Sequence, residues 1–205
     1  MTAALVVIDV QESFRRRANW TACSQPDIVG QVNRLVEAAR SRGDLVVWVL
    51  HAEPDSGDVF DPARGFVRLI DGLRPVEGEP VLTKYVHNAF TTTRLQQLLT
   101  ASGIQEITVC GIRTEQCCET TARLAADLGY EVTFVVDATA TMPIEHPEAP
   151  PGRTMTEILA DPRTLGTEEI IERTVYALSG RFATIRTVDE VTGPGAGRRR
   201  PLRPA

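Results

Sequence analysis

Aromatic residues are scarce in this sequence, making up 5% of its 205 positions. So thin a supply argues against a stacking platform for single-stranded nucleic acid. Positive charge is in deficit as well, with 22 Lys and Arg against 27 Asp and Glu and a net charge of −5. A nucleic-acid face is usually basic, so no nucleic-acid partner is expected. No apolar run approaches the roughly 18 residues of a membrane span. The opening MTAALVVIDVQ has no basic start and no cleavage site, and it meets an acid at Asp9. A cytoplasmic protein with no membrane partner is the expectation. Cysteine occurs four times and histidine three. Cys23, Cys110, Cys117 and Cys118 match neither a zinc ribbon nor a C-x-x-C pair, and adjacent cysteines bond each other only with strain. Cys23, Cys110 and Cys118 read as free, mostly buried thiols. Phosphate loop, Rossmann glycine fingerprint and zinc motif are all missing.

What is present is a 42% hydrophobic content, enough for a real core, arranged in short Val- and Ile-rich runs that alternate with helical patterns. Ala4–Val10, Leu45–Leu50, Val81–Lys84, Glu106–Cys110, Glu131–Val136 and Phe182–Arg186 read as strands. Helices are expected over Pro26–Arg42, Thr91–Ala101, Thr114–Leu128 and Gly166–Ser179. Ala52–Pro80 and Met142–Arg163 read as irregular. Continuous apolar strands, each followed by a helix, predict an α/β domain with a parallel sheet covered on both faces. One domain over residues 1–192 is expected, followed by a disordered basic tail over 193–205 with the sequence GPGAGRRRPLRPA.

Three reactive side chains sit at strand ends. Cys117 follows the run Glu106–Cys110 and opens the next helix, where unpaired N–H groups and the helix dipole favour thiolate over thiol. Asp9 closes the first apolar strand, and a carboxylate there is costly to bury unless paired. Lys84 follows Val81-Leu82-Thr83. In such sheets ligands bind at the carboxyl ends of the strands. A cation, an acid and a thiol converging there fit nucleophilic catalysis: the acid takes the thiol proton and the thiolate attacks an electrophilic carbon.

Four segments, in order and spacing, carry a family resemblance: LVVIDVQESF (Leu5–Phe14), TKYVHNAF (Thr83–Phe90), VCGIRTEQCCETTA (Val109–Ala122) and GYEVTFVVDATA (Gly129–Ala140). The chain resembles the isochorismatase-like cysteine hydrolases over roughly Ala3 to Val191. That resemblance implies a three-layer α/β/α sandwich with a six-stranded parallel sheet and a catalytic triad of Asp9, Lys84 and Cys117. It also implies a cis peptide at Ile112–Arg113 and an oxyanion hole made by the backbone N–H groups of Arg113 and Cys117. The implied reaction is hydrolysis of an amide or ureido C–N bond through a thioester, with no cofactor, in a homo-oligomer (dimer or tetramer).

Departures from the family bear on substrate and metal. Nicotinamidases of this fold carry an Asp-x-His metal motif after the second strand, where this chain reads His51-Ala52-Glu53. No metal is therefore expected. Phe14, Trp20, Tyr85, His87, Phe90 and Arg113 are the candidate substrate-binding residues, for a small molecule that a guanidinium would suit if it were anionic. Arg113 has Glu115 and Glu119 as alternative partners, and Arg15-Arg16-Arg17 is a further candidate anion contact. Two other functions stay open. One is vinyl-ether hydrolysis on the same fold, which needs no thiol. The other is a non-catalytic interaction or redox-sensing protein using Cys117 and Cys118.

Overall fold

Every side chain of Ala3–Ile8 (β1) is apolar, and such a run is stable only between two covering layers. In the computed structural model, which describes residues 3–193, β1 lies inside a sheet of order β3-β2-β1-β4-β5-β6. The other strands are Leu45–His51 (β2), Val81–Lys84 (β3), Glu106–Ile112 (β4), Glu131–Ala140 (β5) and Thr184–Arg186 (β6). All neighbouring pairs run parallel. Alternation divides β1 between two cores. Ala4, Val6 and Ile8 join Val47, Val49, Val109 and Phe134 on one face. Leu5 and Val7 join Val46, Trp48, Cys110 and Val135 on the other. Each fully buried Val, Leu or Ile contributes about 1.5–3 kcal/mol by leaving water, before the entropy of ordering it is counted.

Helices supply the outer layers. Ile28–Arg42 (α2) buries Ile28, Val32, Leu35, Val36 and Ala39, a stripe at helical spacing, and ends at Gly43 with φ 72°. On the opposite face lie Leu95–Ala101 (α3) and Glu119–Asp127 (α4), while Thr167–Leu178 (α6) packs on α4. The described residues thus form the expected α/β/α layers around six parallel strands.

Element bounds depart from expectation where local hydrogen bonding decides. The helix expected from Thr91 begins at Leu95, because the Asn88 carboxamide oxygen accepts from the Phe90 and Thr91 amides and holds a turn there. The helix expected over Thr114–Leu128 is divided into a π-helical turn, Thr114–Cys118, and α4. Three short α-helices fall in stretches with no expected element: Glu12–Arg15 (α1), Met155–Ala160 (α5) and Val188–Thr192 (α7). The last two carry capping boxes, Thr154 with Glu157 and Thr187 with Glu190, a legible S/T-x-x-E signal. Except for Gly193, the tail expected over 193–205 lies outside the described residues. Among the described residues no helix is long and apolar enough to cross a membrane.

Candidate active site

Strand order places the reversal of direction between β1 and β4, and a crevice forms at such a switch point. Asp9 follows β1 with φ 53°, a left-handed conformation that ends the strand and that Asp tolerates better than most residues. Gly111 makes the close approach of β4 possible. Its φ is 130°, and a Cβ there would lie 1.9 Å from the Ile8 carbonyl oxygen. The Ile112–Arg113 peptide bond is cis, and the π-helical turn that follows presents Cys117. A buried chain ties this turn to β5: the Thr114 hydroxyl donates to Thr139, whose own hydroxyl donates to the Val136 carbonyl.

Asp9, Lys84 and Cys117 meet. Lys84 Nζ stands 2.7 Å from Asp9 Oδ2, with both side chains fully buried. It donates to Cys117 Sγ at 3.3 Å and to the Val86 carbonyl at 3.1 Å. Neither Asp9 oxygen receives a well-directed hydrogen bond, so the lysine compensates the carboxylate mainly through charge.

Burial sets the protonation states. It raises the Asp9 pKa above the ordinary carboxylate range, with the Lys84 charge pulling the other way. For Lys84 burial alone would favour the neutral amine, but Asp9 and Cys117 outweigh it and the ammonium is held more firmly than usual. Cys117 is pushed up to about 12, first by burial and then by the Asp9 carboxylate, against the opposing pull of Lys84. This corrects the expectation of a thiolate. A helix terminus contributes about 0.3–1 kcal/mol, up to about 2, less than burial and a neighbouring carboxylate impose here. Burial and the carboxylate together favour the thiol over the thiolate at neutral pH.

The six candidate substrate-binding residues separate into groups. His87 is exposed, with Nδ1 4.0 Å from Cys117 Sγ, and its ring stacks on His51 at 6.5 Å. Phe14 is buried edge-on against Phe60 at 5.0 Å, and Phe60 in turn meets His51 at 5.6 Å. Trp20 is half-buried against the α2 core. Tyr85 is exposed at the end of β3. Phe90 is buried in the opposite core, the one that also holds Cys117, and stacks at 6.1 Å on Tyr130, which immediately precedes β5. Arg113 is committed internally, with Nε 3.2 Å from Glu115 Oε1 and a terminal nitrogen donating to the Met142 carbonyl at 2.5 Å. Glu119 pairs instead with Arg123.

The arginine run is likewise engaged. Arg15 pairs with Glu12, Arg16 lies over the Phe66 ring, and Arg17 pairs with Asp58 while covering Phe60. A cavity of about 290 Å³ lined by Glu12, Arg15, Arg16, Arg68 and Asp71 touches none of the three reactive groups. Arg15–Glu12 and Arg68–Asp71 pairs neutralise most of its charge.

Sequence reasoning missed Gln11, Phe60 and the place of His51. Gln11 is fully buried, accepting from the His51 amide at 2.7 Å and donating to the His51 carbonyl at 3.0 Å. Its only sequence signal is a polar residue two positions after Asp9, still beside the apolar strand. Phe60 is one of two aromatics, with Phe66, in a loop rich in Pro, Gly and Asp. Among the described residues, no three His, Cys, Asp or Glu side chains are grouped to hold a metal ion.

The isochorismatase domain model matches residues 3–162. This chain belongs to the isochorismatase family. Its enzyme class follows: it is an isochorismatase-family hydrolase. The isochorismatase family protein YddQ of Bacillus subtilis is 28% identical over 190 residues, spanning 92% of this chain and 98% of that protein. Nicotinamidase 3 of Arabidopsis thaliana is 33% identical over 161 residues, spanning 72% of this chain and 77% of that protein. In fold, the chain matches a solved member of the isochorismatase family from Chromobacterium violaceum with a TM-score of 0.80 and 23% identity. The match covers 93% of this chain and 92% of the other.

Proposed function

We propose that this family hydrolase cleaves a C–N bond of a small amide or ureido compound, with Cys117 as nucleophile, Asp9 as base and then acid, and Lys84 as the cation between them. The observation that carries the reading is the buried contact of Lys84 Nζ with both Asp9 Oδ2, at 2.7 Å, and Cys117 Sγ, at 3.3 Å. A thiol beside a carboxylate whose proton affinity is raised is a nucleophile beside its base. The similarity to a protein named a nicotinamidase supports an amide as the electrophile.

Atoms balance in two halves. Asp9 takes the Cys117 proton as the sulfur adds to the carbonyl carbon, and Lys84 stabilises the thiolate as it forms. In this reading the backbone N–H groups of Arg113 and Cys117 receive the oxyanion, and one such donor is worth about 3 kcal/mol of barrier. Collapse expels ammonia or an amine, which receives the proton from Asp9. Water then attacks the thioester, giving a proton to Asp9. The carboxylic acid leaves and the sulfur regains its hydrogen.

Ammonia release from nicotinamide, carbamoylated amino acids, maleamate-like acids and oxamate, measured on the native chain and Cys117→Ala, tests the reading. Release by the native chain that disappears in Cys117→Ala is the expected result. Release that survives the substitution would remove the thiol from the mechanism.

A further inference from the structure

Lys84 and Asp9 belong to strands that are not neighbours, because β2 runs between β3 and β1. To reach Asp9 the lysine side chain crosses the end of β2. The residue it crosses is His51, its partner in the strand register. Lys84 Nζ and His51 Nδ1 are 3.3 Å apart. An ammonium offers three donors and no lone pair, so this contact requires a bare, accepting Nδ1. The ring hydrogen then sits on Nε2, and Nε2 faces Glu53 Oε1 at 3.1 Å, an acceptor that fits this tautomer.

The ring is held on every side. Gln11 clamps the His51 main chain through its amide and its carbonyl. Phe60 meets the ring at an angle, and His87 lies parallel to it. Four acceptors therefore surround the three ammonium hydrogens: Asp9 Oδ2, Cys117 Sγ, the Val86 carbonyl and His51 Nδ1.

We propose that His51 is a positioning residue whose neutral, Nε2-protonated ring anchors the Lys84 ammonium between Asp9 and Cys117. The inference rests on the reading of those three groups as the catalytic machinery. Without the neutral acceptor, the ammonium settles on the nearest opposite charge, Asp9, and withdraws from the sulfur it must stabilise as thiolate. A protonated ring would set a second cation against Lys84, so the anchor works only while His51 is neutral. The charged and titratable groups facing the ring are Lys84, Asp9, Glu53 and His87. Burial and then the Lys84 charge lower the proton affinity of His51, while Asp9 and Glu53 oppose them.

Two substitutions separate the acceptor from the shape of the ring. His51→Asn places a carboxamide oxygen where Nδ1 sits, and His51→Phe keeps a ring without an acceptor. The first readout needs no substrate: the rate of Cys117 alkylation by iodoacetamide, resolved by peptide mass spectrometry. Loss of one hydrogen bond to a charged group predicts alkylation about ten- to hundredfold slower in His51→Phe. His51→Asn should stay within about threefold of the native rate, because the acceptor is retained. Equal rates in the two variants, both high or both low, would overturn the proposal.

A second measurement does not depend on either variant folding. Nitrogen-15 NMR of the native imidazoles, with three histidines to assign, should show a bare Nδ1 and a protonated Nε2 at His51 near neutral pH. The other tautomer, or an imidazolium, would overturn it. If alkylation and tautomer agree while no amide is cleaved, the amide reading fails and the anchor stands. If amides are cleaved while the two variants alkylate alike, the anchor alone is lost.

Discussion

Replacing Lys84 by Met preserves side-chain length and removes the one cation beside Asp9. The carboxylate is fully buried and neither oxygen has a well-directed donor, so nothing replaces the lost charge. Asp9 must then hold a proton in the folded state. From the ordinary value of 3.8, holding that proton at pH 7 costs about 4 kcal/mol, at 1.36 kcal/mol per pH unit. This agrees with the roughly 3–5 kcal/mol seen when one partner of a buried ion pair is removed.

The sign follows from linkage. In the variant the folded state binds a proton that the unfolded chain releases above its own pKa, so stability falls as pH rises past 3.8. The slope is about 1.4 kcal/mol per pH unit, and about 2.7 kcal/mol is lost between pH 5 and 7. Cys117, pushed up to about 12, keeps its proton across that window and adds no slope. Urea denaturation followed by circular dichroism at pH 5, 6 and 7 measures this. The double variant Asp9→Asn with Lys84→Met has no carboxylate to protonate and should lose the Asp9 contribution, keeping the opposite dependence that a buried neutral His51 gives both variants. It should be the more stable of the two at pH 7 while remaining inactive. Parallel pH profiles for the two variants would refute the account of Asp9 as a buried carboxylate held by Lys84.

Three other outcomes are expected. Gly111→Ala would force a Cβ to within 1.9 Å of the Ile8 carbonyl oxygen at φ 130°. The resulting shift of β4 should cost more than about 2 kcal/mol by urea denaturation, and a cost under about 0.5 would contradict the packing described. Thr121→Val removes the buried oxygen that accepts from the Ala89 amide at 3.1 Å. The unpaired donor should cost about 1–3 kcal/mol, with faster hydrogen exchange at Ala89, and unchanged exchange there would argue against this bond. Alkylation of Cys117 should climb about tenfold per pH unit from pH 7 to 10 without levelling, as a thiol near 12 requires; a plateau below pH 8 would show a thiolate instead.

Much of the architecture is written in local pattern. The short Val- and Ile-rich run of β1 fits a strand covered on two faces, and the stripe Ile28, Val32, Leu35, Val36 and Ala39 fits an amphipathic helix. Strands followed by helices then demand a parallel sheet, and that places Asp9, Lys84 and Cys117 on one edge. Short helices were legible only through their capping boxes, because five or six residues are too few to show a period.

By itself, then, the sequence determined the layers, the edge and the reactive residue types, since these depend on neighbours along the chain. Only the tertiary structure decided the raised proton affinity of Cys117, the stacking of Phe90 on Tyr130, the pairing of Arg113 with Glu115, and the place of His51 in the path of Lys84. Each of these depends on what the fold brings close. Desolvation is a property of the whole surrounding volume, and strand order is a property of the finished sheet. Neither is carried by the residues on either side of the group concerned.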